Sequence, residues 1–447
     1  MTYVSRSQLE GVGFTAEEAE RRVALFDLVA ARWSSVFGST VPTLGYHVPG
    51  RIEVLGKHTD YAGGRSLVCA TEQGLALLAT PRSDQTLRIL DARRHDTRVF
   101  DISADLESIR GDWGNYPMTV ARRLAIDFGP LTGADVAFAS DLPFAAGVSS
   151  SSAIVVAVAL LLVEINCLDR TAEYARSIRS PEDLGGYLGA VENGRAFRGF
   201  AAPAGGGVGT MGGSQDQTAI LASRPDALSQ YRFDPVALER VVPWPEEWIF
   251  AVAASGVVAE KTGAALAHYN DLARLTARLA ELVPKRAEGR TLGGSLMDNA
   301  GAARAIADRL TSWPDRSEGS RLLARLTQLD GECRLVIPGV ADALIKEDRL
   351  RLRELVAASQ QGAALGLRNQ VVETTTLVDL ALHHGAIAAS AFGAGFGGSV
   401  WAMIERADGA AFADRWKASY LTRFPGHADG ATVFLTRPGP PATRLPI

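Results

Sequence analysis

Apolar positions three and four residues apart open the chain. Leu25, Val29, Trp33, Val36 and Phe37 line one stripe of a helix, and Thr15 followed by Glu18 supplies a capping box at its start. The pattern then changes to short β-like runs at residues 52–55, 67–70, 75–79, 87–90 and 99–102, separated by Gly, Asp and Arg. This predicts an antiparallel-rich N-terminal sheet. Residues 135–139 read as a further strand, 142–152 as a loop and 153–163 as an apolar helix. That helix is well short of the ~20 residues needed to span a bilayer, so it reads as buried. Residues 203–213, PAGGGVGTMGG, are too glycine-rich for a regular element and read as a flexible loop. Between 222 and 247 the chain turns to Pro, Asp and Arg with isolated aromatics, including Trp244 and Trp248, which marks a domain junction. A strand at 249–254, amphipathic helices between 259 and 386 and late strands at 399–404 and 432–435 predict an α+β second domain. The expected division is 1–235 and 236–447.

Length and composition support that division and narrow the function. A chain of 447 residues exceeds one ordinary hydrophobic core. It is 47% hydrophobic and 21% charged, with a net charge of −4 and no basic block, so charge supplies no case for nucleic acid or an anionic membrane. Cys69, Cys167 and Cys333 are scattered and have no metal-ligand spacing, and the N-terminus lacks the apolar core of a signal peptide. A cytoplasmic protein is expected, monomeric or homodimeric.

Three segments carry chemistry. In 49–64, PGRIEVLGKHTDYAGG, Arg51, Glu53 and Leu55 share one face of a strand. Lys57, His58, Asp60 and Tyr61 then crowd one loop suited to gripping hydroxyl groups. The spacing Gly50 to Gly56–Lys57 misses a Walker A loop by one residue, and His58 stands where Ser or Thr is required. In 142–154, LPFAAGVSSSSAI, small residues run into the apolar helix. Its first N–H groups lack intrahelical partners and make a phosphate site, with serine hydroxyls placed to meet Mg²⁺. In 393–398, GAGFGG matches G-x-G-x-x-G, but a strand follows it rather than a helix. It therefore reads as a tight loop permitting close backbone approach and not as a dinucleotide fingerprint.

In this order the segments resemble the three signature motifs of the GHMP kinase superfamily, and the first resembles those of galactokinases. Pro49-Gly50-Arg51 and Gly56-Lys57-His58-Thr59-Asp60-Tyr61 stand where that family has PGR and GEHTDY. Gly147, Ser149, Ser150 and Ser151 match LPxGAGLSSSA, and Gly213 to Gln217 match G-x-x-D-Q. Glu192 stands like the family's upstream acidic residue, and Tyr269-Asn270 matches a galactokinase segment. The resemblance implies a two-domain α+β fold: an N-terminal domain like domain 2 of ribosomal protein S5 and a ferredoxin-like C-terminal domain carrying GAGFGG. It implies an ATP-dependent sugar kinase acting on an anomeric hydroxyl. In that reading Asp216 is the base or orienting group and Arg51 sits beside it. Lys57, His58, Asp60, Gly213 and Tyr269 contact the sugar. Gly147, Val148, Ser149, Ser150, Ser151 and Ser152 cradle the ATP phosphates, and Ser151 with Glu192 holds Mg²⁺. An Arg beside the Asp keeps the carboxylate ionised.

The chain departs from the family where Glu53 and Lys57 replace Asn and Glu. A carboxylate only accepts hydrogen bonds and an ammonium only donates them, so the local polarity is reversed. Either Lys57 pairs with Glu53 or Asp60, or it meets an anionic group such as a uronate. The glycine-rich 203–212 is either a lid over the substrate or a surface loop. A cyclitol substrate and a catalytically silent sugar sensor are the alternatives to a galactose-like sugar.

Overall fold

The computed structural model describes residues 3–109, 111–143, 147–257, 264–283 and 291–447. Its strands are β1 (Leu44–Leu55), β2 (Arg65–Pro81), β3 (Thr86–Asp91), β4 (Asp96–Asp101), β5 (Ala134–Ser140), β6 (Ala227–Phe233), β7 (Val236–Pro243), β8 (Trp248–Ser255), β9 (Ala388–Phe392), β10 (Ser399–Glu405), β11 (Ala431–Thr436) and β12 (Thr443–Leu445). One sheet has the order β12-β1-β2-β5-β3-β4, with β6 added to β2 and β7 to β6. Among the described residues only the β3–β5 pair in it is parallel. The second sheet runs β11-β8-β10-β9, antiparallel throughout.

Side chains alternate across the first sheet, so each face takes its own cover. Ala76, Leu78, Ala137 and Ala139 pack against Phe26, Val29 and Trp33 of the helix Ala16–Phe37. Leu75, Leu77, Val136 and Phe138 pack against the helix Ser150–Ile165 on the other face. That helix is buried along most of its length, which its near-continuous apolar run requires. The core continues into the second sheet through Phe250, Phe392 and Trp401. Trp401 Nε1 donates to the carbonyl of Val54 at 3.2 Å, tying the second sheet to the end of β1. Among the described residues no helix is long and apolar enough to cross a membrane.

The topology corrects several expectations. The segment between 222 and 247, where the domain junction is expected, is largely a hairpin in which β7 pairs with β6 in the first sheet. A boundary between 235 and 236 therefore cuts that hairpin. The chain also returns to the first sheet at its end, where Leu445 lies opposite Gly45. The runs 67–70 and 75–79 form one strand, β2. At Gly74 the two backbones approach so closely that a Cβ would stand 2.4 Å from the Val48 carbonyl oxygen, so the glycine is a contact point rather than a break. Thr15 accepts from the Glu18 N–H, but the Glu18 carboxylate turns to Arg22 at 2.9 Å, so the cap is one-sided. Val36 is exposed, off the buried stripe. The part of the serine segment at 144–146, and the start of the helical region at 259, lie outside the described residues.

Candidate active site

A register shift between Pro49 and Arg51 interrupts the β1–β2 ladder just where Arg51 enters it. Its Nε donates to Asp216 Oδ1 at 2.7 Å and its Nη1 to the Gly147 carbonyl at 2.6 Å. The Arg51 N–H also donates to the carbonyl of Val148, so side chain and backbone of one residue hold the turn that precedes the serine helix. Asp216 lies in the first turn of the helix Gln215–Ala222. Ser149, in a left-handed conformation at the cap of Ser150–Ile165, donates to Asp216 Oδ2 at 2.5 Å. Burial would lower the Arg51 pKa, but the charges of Asp216 and Glu53, the Asp216 hydrogen bond and the Asp60 charge outweigh it, so the pKa is raised and the cation is retained.

The serine that faces Glu192 is Ser152. Its Oγ lies 3.3 Å from Glu192 Oε2 and 3.5 Å from Asp216 Oδ2, and Gln217 Nε2 donates to the same Glu192 oxygen at 2.5 Å. Ser151, expected to hold Mg²⁺ together with Glu192, is the preceding position, and the structure puts Ser152 against that carboxylate. In a helix one residue is about 100° of rotation, enough to turn a side chain off the shared face. Oxygen donors from Ser152, Glu192 and Asp216 thus converge, the hard-ligand chemistry suited to Mg²⁺.

Next to this pair is a polar cavity of about 60 Å³ whose lining includes Arg51, Glu53, His58, Asp60, Gly213, Asp216 and Tyr269. His58 Nε2 lies 3.0 Å from the Ala394 carbonyl, which can only accept, so that nitrogen carries the proton and Nδ1 accepts from the Tyr61 hydroxyl. Asp60 Oδ2 accepts from the backbone N–H of Gln215 at 3.1 Å, which joins the loop after β1 to the Asp216 helix. Gly213 permits that approach: a Cβ there would stand 2.3 Å from Asp60 Oδ2. Burial, joined by the charge of Asp60, raises the Tyr269 hydroxyl well above the ordinary tyrosine range, so it is a neutral donor.

Lys57 does not line the cavity. Its side chain is buried and points to the second domain, donating to Ser390 in β9 at 2.9 Å and to Ser359 at 3.3 Å. Glu332 accepts from Ser359 and from the Gly56 N–H, completing a buried network. The expected sugar contact of Lys57 finds no geometric support, nor does an ion pair with Asp60 or an anionic substrate, and Glu53 acts on it only through its nearby charge. Burial lowers its pKa, with Glu332 and Glu53 opposing.

The glycine-rich 203–212 is held at several points. Asn193 Oδ1 accepts from the Gly212 N–H and the Thr210 hydroxyl, Asn270 Oδ1 accepts from the Met211 N–H, and Arg122 donates to the carbonyls of Gly205 and Gly206. Thr210 and Gly212 reach the cavity wall. Asn193 also lines it and was missed by sequence reasoning, although it follows Glu192 directly. The loop 393–398 joins β9 to β10, and Gly393, Gly395, Phe396, Gly397 and Gly398 all carry positive φ. A Cβ at Gly393 would stand 3.4 Å from the Gly147 carbonyl oxygen and 3.8 Å from Arg51 Nη2, so this loop packs against the serine turn from the other domain.

Comparison with known proteins bears on the family and the fold. Residues 31–81 match the galactokinase galactose-binding signature, 115–184 the GHMP kinases N-terminal domain and 340–421 the GHMP kinases C-terminal domain. The chain is 31% identical to a galactokinase of Chloroflexus aurantiacus over 376 residues, 84% of this chain and 87% of that protein. It is 28% identical to a galactokinase of Chloroflexus aggregans over 85% of this chain and 89% of that one. The fold is similar to that of Lactococcus lactis galactokinase in complex with galactose, with a TM-score of 0.76 at 19% identity over 94% of this chain and 100% of that one. It is more distantly similar to Methanococcus jannaschii mevalonate kinase, with a TM-score of 0.51 at 11% identity over 88% of this chain and 98% of that one.

Proposed function

The chain belongs to the galactokinase branch of the GHMP kinases, and on that footing we propose that it transfers the γ-phosphoryl group of ATP to the C1 hydroxyl of galactose or a closely related neutral hexose. The Arg51–Asp216 ion pair carries this reading, because it stands where the polar cavity meets the N-terminus of Ser150–Ile165. Phosphoryl transfer asks a protein mainly for in-line positioning and for positive charge where oxygens become more negative. Asp216 receives or orients the acceptor hydroxyl. Arg51 steadies that carboxylate and the growing charge beside it. The free N–H groups of Ser150, Ser151 and Ser152, with Gly147, Val148 and Ser149 leading in, cradle the ATP phosphates. His58, Asp60, Gly213 and Tyr269 hold sugar hydroxyls.

Glu192 and Ser152 are the side chains that would hold Mg²⁺. When bound, the ion neutralises phosphate charge. Among the described residues there is no cluster of three or more His, Cys, Asp or Glu suited to a metal, so phosphate oxygens would complete its shell. Ser152→Ala is accordingly expected to raise the Mg²⁺ concentration needed for half-maximal rate by about tenfold, and Ser151→Ala by less. The reverse order in a Mg²⁺ titration would restore Ser151 as the ligand.

A uronate or phosphorylated substrate loses its support with Lys57 outside the cavity. Cytoplasmic placement fits the unpaired cysteines. An ADP-release assay across galactose, other neutral hexoses, galacturonate, galactosamine and inositols tests the reading. Galactose or a near epimer should give the highest kcat/KM, with C1 phosphorylation seen by phosphorus NMR. Preference for an inositol or a uronate would refute it.

A further inference from the structure

Glu53 is a buried carboxylate that the mechanism above leaves unused. It lies on β1 two residues after Arg51 and is 4% exposed. Its Oε2 accepts from Gln215 Nε2 at 2.8 Å. Its Oε1 is buried and has no hydrogen-bond partner, yet Glu53 lines the same cavity as Asp60, His58 and Asp216. Among the described residues no Lys, Arg or His nitrogen lies within ion-pair distance of it, and the nearby Lys57 spends its donors on Ser359 and Ser390. A buried acceptor left unpaired costs about 1–3 kcal/mol, more when charged, and on a residue that lines a substrate cavity a ligand hydroxyl is placed to supply the missing donor.

We propose that Glu53 is a substrate-contacting specificity residue, its unpartnered Oε1 accepting a hydrogen bond from a sugar hydroxyl. The inference rests on the sugar-kinase reading and deepens it. A hydroxyl donated to Oε1 favours the ionised carboxylate. The groups around it are Lys57 and Arg51 beyond the two ends of its own stretch of chain, Gln215 and Asp216 from the helix opposite, and Asp60 and His58 across the cavity. Tyr269 and the uncharged Gly393 and Ala394 close the other side. Burial pushes the Glu53 carboxyl up to about 7 against the pull of Lys57, Arg51 and Gln215. The free protein therefore holds this proton through the acidic side of neutrality, and sugar binding expels it. Affinity therefore levels off only about one pH unit above that value and falls as the pH drops through and below neutrality.

Isothermal titration of galactose into the full chain, in two buffers of different ionisation enthalpy, reads this directly. The wild type should release about half a proton per sugar bound at pH 7. Glu53→Gln should release none beyond background and should raise the sugar KM about tenfold, with the ATP KM unchanged and the KM profile flat between pH 6 and 8. Wild-type binding with no proton release, or a Glu53→Gln variant with unchanged release and KM, would overturn the role of Glu53 alone. No galactose binding by the wild type would overturn the sugar reading and this inference together. If Glu53→Gln does not fold, the wild-type proton count still decides.

Discussion

Asp216→Asn is expected to lower kcat by roughly 10²- to 10⁴-fold while sugar binding survives. The amide keeps the shape of the side chain and one oxygen to accept from Arg51 Nε, but it loses the charge and the capacity to take a proton. Its NH₂ group must also face either Ser149 Oγ or Arg51, both of which donate to this carboxylate in the wild type. The size of the loss separates two roles. The transition state of phosphoryl transfer is loose and makes little demand on the nucleophile, so an orienting group costs toward the lower end when removed and a base toward the upper. Arg51→Lys should be damaging too. A lysine cannot span Asp216 Oδ1 and the Gly147 carbonyl with one planar fork, so the serine turn loses its anchor along with the ion pair. An Asp216→Asn enzyme within tenfold of wild type in steady-state turnover would remove Asp216 from the chemistry.

Arg51 and Asp216 stand far apart in the chain, and no periodicity or composition joins them. Their pairing was legible only because segments around both matched motifs of one family, and the fold brings them to 2.7 Å. The serine run shows the opposite limit. Four consecutive serines look alike in sequence, so their register against Glu192 depends on where the helix starts. The left-handed Ser149 starts it at Ser150 and places Ser152 on the Glu192 face. Lys57 was misplaced for a related reason. Its neighbours Ser359 and Ser390 lie on a helix and a strand more than 300 positions away, and nothing in the 49–64 motif indicates that these elements close over the loop. The β6–β7 hairpin was unread because β7 is only half-buried, so its polar positions resemble a linker.

The buried Lys57 network predicts the largest loss of stability. Lys57→Glu would restore the side chain that galactokinases carry in this motif, yet here it should destabilise the fold by about 3–5 kcal/mol. The substitution removes the cation set between Glu332 and Glu53 and adds a third carboxylate to a region where both are buried. The hydroxyls of Ser359 and Ser390 can rotate to donate, but Ser359 already donates to Glu332. Lys57→Met separates charge from volume. It leaves no new anion and should cost less, although Ser390 loses its donor and Glu332 loses the nearby positive charge. Burial holds the Lys57 pKa below its unfolded value, so the unfolded chain binds the proton more tightly. The contribution of Lys57 therefore makes the wild type relatively more stable as the pH rises from the folded value toward the unfolded one, and Lys57→Met should lack that increment. Urea midpoints at neutral pH should order wild type, Lys57→Met and Lys57→Glu from highest to lowest. A Lys57→Glu protein as stable as wild type would mean that this side chain lies in solvent or in the sugar cavity, and the domain-joining network at Gly56–Lys57 would have to be abandoned.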